Sequence, residues 1–521
     1  MPDLHTLDGD ALRRGGERAL EMLAAYWSSV QAIEPGFPVG STAKPGEMYR
    51  RFAGPAPESG RAMEDVLGGL VPGLMGGLTH WQSPRFAAFF PANTSAPAVV
   101  GDLLSSGLGV QGMLWATSPA CTELEMLVTD QLARIIGLPE AFCFGQTGQA
   151  LEAGADAKPF EGNGGGVIQS TASDAAVVAM VAARHRLRRL DGGREGRLVV
   201  YASHQSHSSI TKAAVVTGIA DGVEDQRHVR LIDTDGALRM DAGALLAAMR
   251  EDVAAGRRPA LVCATLGTTS TCAVDNLAAI GPVLRAFDGP SRRVWLHADA
   301  AFAGAAWVCP EHRWMMRGAE HADSLCFNPH KWLLTGFDCD VMWTQDRASL
   351  TGSLSINPAY LQTSAAEAGA VFDYRDWQVP LGRRFRALKL YLVLQCFGTE
   401  GLRRYIRGHV EIAERLEALI AADGRFELAD RRLTGGGLSL LCMRLKGSDE
   451  ANRRLVALAN AEGRTFLGTT VAPWPLVEGP QAGTPAAVIR LALGSTGLTW
   501  AHAEAVWDAV RRAADRVVAE G

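Results

Sequence analysis

Apolar positions between Ala11 and Ile33 fall at helical spacing, with Leu12, Ala19, Leu20, Leu23, Tyr26, Trp27 and Val30 on overlapping turns. The pattern predicts an amphipathic helix. A Pro/Gly-rich connector from Glu34 to Gly46 separates it from the rest of the chain, so its stripe needs a surface to pack on. From Gly164 to Trp343 short apolar runs alternate with helical stretches. Strands are predicted at Leu198–Ala202, Val229–Ile232, Ala260–Leu266, Val294–Ala298, Ser324–Phe327 and Asp340–Trp343, with helices over Ala172–Leu190, Ala242–Ala255 and Leu277–Phe287. This alternation predicts a mostly parallel α/β sheet covered by helices on both faces, with ligands at strand ends and helix starts. Ser349 to Ala370 carries little apolar pattern and reads as a mobile loop, and the polar stretch Gln146–Asn163 as a surface loop. Beyond Arg383 the spacing predicts helices over Arg383–Phe397 and Leu402–Ala421. Strands at Leu438–Leu445 and Val488–Leu493 and a helix over Ala501–Val518 follow, making a small α+β tail.

A chain of 521 residues is too long for one core. We expect an N-terminal helical segment over 1–95, a large α/β domain over 96–398 and the α+β domain over 399–521. With 47% hydrophobic and 21% charged residues, long disorder is not expected. A net charge of -5 gives no electrostatic reason to expect nucleic acid or an anionic membrane as partner. The nine cysteines form no C-x-x-C pair and no zinc spacing, as expected of buried free thiols in a reducing compartment. Met1 to Thr6 lacks a basic, then apolar, leader, and no run reaches membrane length, so a soluble cytoplasmic protein is expected.

Chemistry concentrates in Ser324–Leu334, where Lys331 stands between Phe327 and Trp332. Burial there lowers a lysine's pKa and frees a neutral amine for nucleophilic attack. A lone lysine at a strand end is more often plain surface. The segment Val294–Gly304 shifts that balance, because Asp299 ends an apolar strand among alanines with little nearby to pair with it. One Asp and one Lys in an apolar site suit pyridoxal phosphate, with Lys331 forming the Schiff base and Asp299 facing the ring nitrogen. Thr171, Ala172 and Ser173 open a helical run after Gly164–Ser170, where free N–H groups and the helix dipole favour a phosphate. A plain helix cap would need no ligand. His204 and His207 lack a third ligand nearby, so no metal site is predicted, and solvated imidazoles at a helix entry are the plainer reading. Gly107–Gly112 matches G-x-G-x-x-G, but no strand precedes it and Pro119 follows closely, so it does not read as a dinucleotide fingerprint.

Several stretches, in order from about Thr79 onward, resemble the group II pyridoxal-phosphate decarboxylases, and within them the aromatic L-amino acid decarboxylase branch. They are Ser118–Glu125, Gly165–Gln169, His204–Ser209, Ala264–Ser270, His297–Ala301, Asn328–Trp332 and Asp373–Phe385. The resemblance implies a fold-type I enzyme, a homodimer clasped by the N-terminal helix, and an active site at the subunit interface. It implies that His207 lies flat against the cofactor ring and that Thr269, Ala301, Asn328 and His330 complete the cofactor pocket. Tyr360 is implied as the acid that protonates Cα. The substrate pocket it implies contains Trp81, Phe89, Pro91, Ala92, Met113 and Gly382, with Phe86 and Phe90 as ordinary core. This set is apolar and holds no cation for a distal carboxylate, which disfavours glutamate. Ala92 and Met113 stand where the dopa decarboxylases usually carry threonine and phenylalanine, and Gly382 where tyrosine- and histidine-acting relatives tend to carry serine. Loss of hydroxyls and a roomier pocket favour tryptophan or phenylalanine over dopa and tyrosine. One alternative is an aromatic acetaldehyde synthase, but those enzymes typically replace the tyrosine or the histidine, and both stand here. The other is a non-catalytic scaffold, against which Lys331, Asp299 and His207 count.

Overall fold

The structure, a computed structural model, describes residues 7–34, 36–145, 162–192, 196–290, 292–356, 358, 361, 363, 366, 371–433, 436–475 and 483–520. Tyr360 and most of Gln146–Asn163 lie outside the described residues. A seven-stranded sheet forms the centre, from β1 (Gly165–Gln169), β2 (Leu198–Ser203), β3 (Val229–Ile232), β4 (Arg258–Thr265), β5 (Trp295–Asp299), β6 (Ser324–Phe327) and β7 (Asp340–Thr344). Their spatial order is β1-β7-β6-β5-β4-β2-β3. Only β7 runs against its neighbours; β6, β5, β4, β2 and β3 are parallel in succession. The near-continuous apolar runs follow from this, since both faces are packed.

The six predicted strands all form. β1 carried no such prediction, because two of its five residues are glycine. Packing explains them: a Cβ on Gly165 would meet Phe144 and Trp377, and one on Gly166 would meet Thr129 and Trp343. The helix Ala172–Leu190 forms over its predicted span and packs across one face of the sheet. At its start Thr171 and Asp174 cap each other, Thr171 Oγ1 accepting from Asp174 N–H and Asp174 Oδ2 from Thr171 N–H. Gly107–Gly112 spans a helix end, with Gly109 left-handed at the cap, which is the wrong pole for a phosphate.

The predicted loop over Ser349–Ala370 is helical at its start, where Ser349–Leu354 belong to the helix Arg347–Leu354. That helix is capped by Asp346 Oδ1 accepting from Ser349 N–H. Further on, the helix Ala387–Ala422 is broken at Gly398 (φ 60°, ψ 170°), where two helices were predicted. It begins later than Arg383, whose side chain is drawn inward to pair with buried Glu125. A second, antiparallel sheet follows, with β8 (Phe426–Leu428), β9 (Leu440–Leu445), β10 (Gly468–Trp474) and β11 (Thr484–Ala492) in the order β10-β11-β9-β8. The helices Asp449–Ala461 and Trp500–Glu520 share its core.

Residues 86–92 tie the two sheets together. Ala87 N–H donates to the carbonyl of Phe466, and Ala87 accepts from Ala492 N–H. At the N-terminus, helix Gly9–Val30 buries only Gly15 and Val30, and helices Glu47–Phe52 and Met63–Met75 bury nothing. Among the described residues no helix is long and apolar enough to cross a membrane.

Candidate active site

Asp299 ends β5 and Lys331 follows β6, so the ladder that joins those strands brings both to the carboxyl edge of the sheet. Asp299 is buried and its Oδ1 accepts from Ala301 N–H at 2.9 Å. Asn328 N–H in turn donates to the Ala301 carbonyl at 3.0 Å. Two turns are thereby locked together. Burial pushes the Lys331 ammonium below its ordinary pKa; Asp299 and Asp340 oppose this, and Arg490 pushes the same way as burial. The Lys331 Nζ sits 5.4 Å from the centre of the Phe90 ring.

His207 follows β2 at the same edge. Its Nδ1 accepts from Ser209 N–H at 3.1 Å and lies 2.9 Å from Ser209 Oγ, which places the ring proton on Nε2. The residue is exposed on its open side. Desolvation of the ring nonetheless pushes its pKa down, with Lys331 acting the same way and Asp299 opposing. A neutral, flat imidazole is the result.

The start of helix Ala172–Leu190 completes that edge. Asn328 Oδ1 accepts from Ala172 N–H at 3.2 Å, tying the lysine-bearing turn to this helix start. The Thr171 hydroxyl is engaged with Asp174, while Ser173 is exposed and its hydroxyl takes no hydrogen bond among the described residues. His330 is buried and its Nδ1 accepts from Cys339 N–H at 3.0 Å. Burial, with Lys331 and Lys389 nearby, pulls its pKa down to about 3, so it is neutral. Thr269 is half-buried beyond β4. An amine pushed toward its neutral form, a buried carboxylate, a flat imidazole and a helix N-terminus fit the aldehyde, ring nitrogen, ring face and phosphate that pyridoxal phosphate presents.

The expected substrate residues fall into two groups. Trp81 and Phe89 stack at 5.6 Å, next to Phe86 at 4.4 Å from Trp81, while Gln82 Nε2 donates to the Ala92 carbonyl beside buried Pro91. Met113 and Gly382 make up the other group, on segments joined by Gly112 N–H donating to the Arg383 carbonyl. Among the described residues no hydrogen bond or ring contact links this second group to Lys331 or Trp81. Phe86 and Phe90 are buried, as expected of core, yet Phe90 also walls the lysine.

Arg490 and Asp340 also stand near Lys331, and local sequence does not mark them as site residues. Arg490, on β11, is buried and its guanidinium lies 4.9 Å from the Phe90 ring. Nη1 donates to the Phe89 carbonyl, while Nε and Nη2 have no hydrogen-bond partner among the described residues. Its signal was a lone cation within the apolar run Val488–Leu493. Asp340, the first residue of β7, is fully buried and neither oxygen has a hydrogen-bond partner among the described residues.

Comparisons with known proteins agree with this geometry. Residues 45–446 match the family described as "Pyridoxal-dependent decarboxylase conserved domain". The chain is 38% identical to the aromatic-L-amino-acid decarboxylase of Mus musculus, covering 98% of this chain and 99% of that protein. It is also 38% identical to the phenylacetaldehyde synthase of Arabidopsis thaliana, covering 98% and 97%. Among solved structures, Oryza sativa TDC with PLP and tryptamine superposes with a TM-score of 0.86 at 35% identity, covering 98% of this chain and 99% of that one.

Proposed function

The chain belongs to the pyridoxal-dependent decarboxylases, carboxy-lyases that work through pyridoxal phosphate, and from that premise we propose that it decarboxylates tryptophan or phenylalanine in preference to dopa and tyrosine, releasing the amine. The observation that carries the reading is the meeting of Lys331, Asp299 and His207 at one sheet edge, with Lys331 held toward its neutral form. When bound, pyridoxal phosphate supplies a sink for the electrons that a departing carboxylate leaves behind. Lys331, its pKa lowered by burial, would hold it covalently through its amine. Asp299, held by Ala301 N–H, keeps a proton on the ring nitrogen by a charge-assisted hydrogen bond. His207, its Nδ1 held by Ser209, would lie against the ring and offer Nε2–H toward the substrate carboxylate. Thr171, Ala172, Ser173, Asn328, His330, Thr269 and Ala301 shape the remaining cofactor contacts. Tyr360 protonates Cα; its presence together with His207 favours the amine over an aldehyde as product.

Trp81, Phe89, Pro91 and Ala92 belong to the segments around Phe90, which stands beside Lys331, and would offer an apolar wall there. Tryptamine is the ligand named with the rice structure, and the open space at Gly382 suits an indole. We place Met113 and Gly382 in the site of a second copy, because among the described residues no hydrogen bond or ring contact joins them to this chain's own lysine. That arrangement needs a homodimer. The N-terminal helices support it, since Leu12, Leu20, Leu23 and Leu70 stay exposed on helices with almost no buried residue. All nine cysteines are unpaired, which supports a reducing, cytoplasmic setting. The test is to purify the enzyme with its cofactor and measure carbon dioxide and amine from a panel of aromatic amino acids. Best use of dopa would overturn the preference.

A further inference from the structure

Asp340 has no part in the chemistry assigned so far, and an ionised carboxylate buried without a partner is among the costlier arrangements a fold can hold. Its place in the sheet is informative. β7 runs between β1 and β6. On one side its ladder partner is Gln169, two residues before Thr171. On the other, Val341 faces Phe327, so Asn328 comes alongside Asp340, and Asn328 holds Ala172 N–H. The first of these segments runs into the start of helix Ala172–Leu190, and the second is tied to that start by the Asn328 side chain. Alternation along β7 puts Asp340 on the face of Met342, which packs with Val167 and Cys326 beneath that same helix.

The groups around it come from every adjoining element: Asp299 of β5, Lys331 and Cys326 from and beyond β6, and Asp174 in the first turn of the helix. Asp338 and Cys339 precede it in its own chain. Burial raises the Asp340 carboxyl well above its usual range; Asp299 and Asp174 raise it too, and Lys331 opposes them.

We propose that Asp340 is a cofactor-positioning residue that meets the phosphate as a neutral carboxylic acid, its O–H donating to a phosphate oxygen. This rests on the reading of Thr171–Ser173 as the phosphate cradle. Protonated, Asp340 adds a donor to that cradle; ionised, it sets a negative charge against a dianion. The sign of the pH effect follows. A bound phosphate raises the proton affinity of Asp340 further, so affinity is full below the pKa of the ligand-free protein. Above that value it falls about tenfold per pH unit until the bound-state pKa is reached.

The test uses full-length apoenzyme titrated with pyridoxamine 5′-phosphate and with unphosphorylated pyridoxamine from neutral to alkaline pH, followed by tryptophan fluorescence. Neither probe can join Lys331 covalently, so its chemistry drops out. Asp340→Asn keeps the shape and a neutral donor, and Asp340→Ser gives the same comparison if the asparagine variant does not fold. Phosphate ionisation is common to all the proteins, so the ratio of wild-type to variant Kd isolates Asp340. We expect that ratio to climb with pH for the phosphorylated probe and to stay flat for pyridoxamine. A constant ratio makes Asp340 merely structural, and equal pH dependence for both probes removes it from the phosphate end; either result overturns the proposal. Borohydride reduction of enzyme loaded with pyridoxal phosphate checks the parent reading separately, since a label on a lysine other than Lys331 defeats that reading whatever the ratio does.

Discussion

As the proposed nucleophile Lys331 must be neutral to act, and burial and the Arg490 charge both push it that way. Lys331→Ala is expected to abolish covalent cofactor attachment and decarboxylation. Lys331→Arg should fail equally, because a guanidinium stays protonated. Borohydride reduction and peptide mapping should find the label on Lys331. For substrate choice, Gly382 is the informative position. A Cβ there meets only Gln111 Oε1, at 3.5 Å, so Gly382→Ser should fold normally. We expect it to lower kcat/KM for tryptophan more than for tyrosine, and equal losses would remove Gly382 from the pocket. Lys331, Asp299 and His207 were legible because each stands in a distinctive local run. Arg490 and Phe90 were not, since what gives them meaning is a contact across hundreds of residues of chain.

Elements were legible where apolar runs were unbroken and obscure where packing overrode composition. β1 hides behind two glycines that exist to admit Phe144, Trp377, Thr129 and Trp343. The helix Arg347–Leu354 hides in a Ser/Thr/Gly-rich run, with Gly352 set against His185 of the neighbouring helix. The break at Gly398 falls where we propose the division between the large and the small domain. A Cβ there meets no neighbouring atom, so Gly398→Ala isolates the backbone cost of a φ/ψ region that is essentially glycine-only, about 1–3 kcal/mol, readable in the urea midpoint. Two of the resembling stretches also explain each other. Glu125, from Ser118–Glu125, and Arg383, from Asp373–Phe385, form a fully buried pair. Glu125→Gln leaves that guanidinium uncompensated and should cost roughly 3–5 kcal/mol, again by urea denaturation.

At the scale of the whole molecule, the two sheets and the linking segment 86–92 make a frame that was largely readable from alternation. Its N-terminal helices look outward instead. Removing residues 1–33 should leave the central sheet intact by circular dichroism, yet yield monomer in sedimentation velocity; a dimer from the truncated chain would remove the clasp. Helices without a core of their own have a further consequence under mass action. If a second copy supplies both their cover and the Met113 side of each site, catalytic capacity becomes a property of concentration as well as of sequence. Specific activity should then fall on dilution below the dimer dissociation constant, and melting temperature should climb with protein concentration. Such an enzyme would switch itself off when scarce, with no effector required.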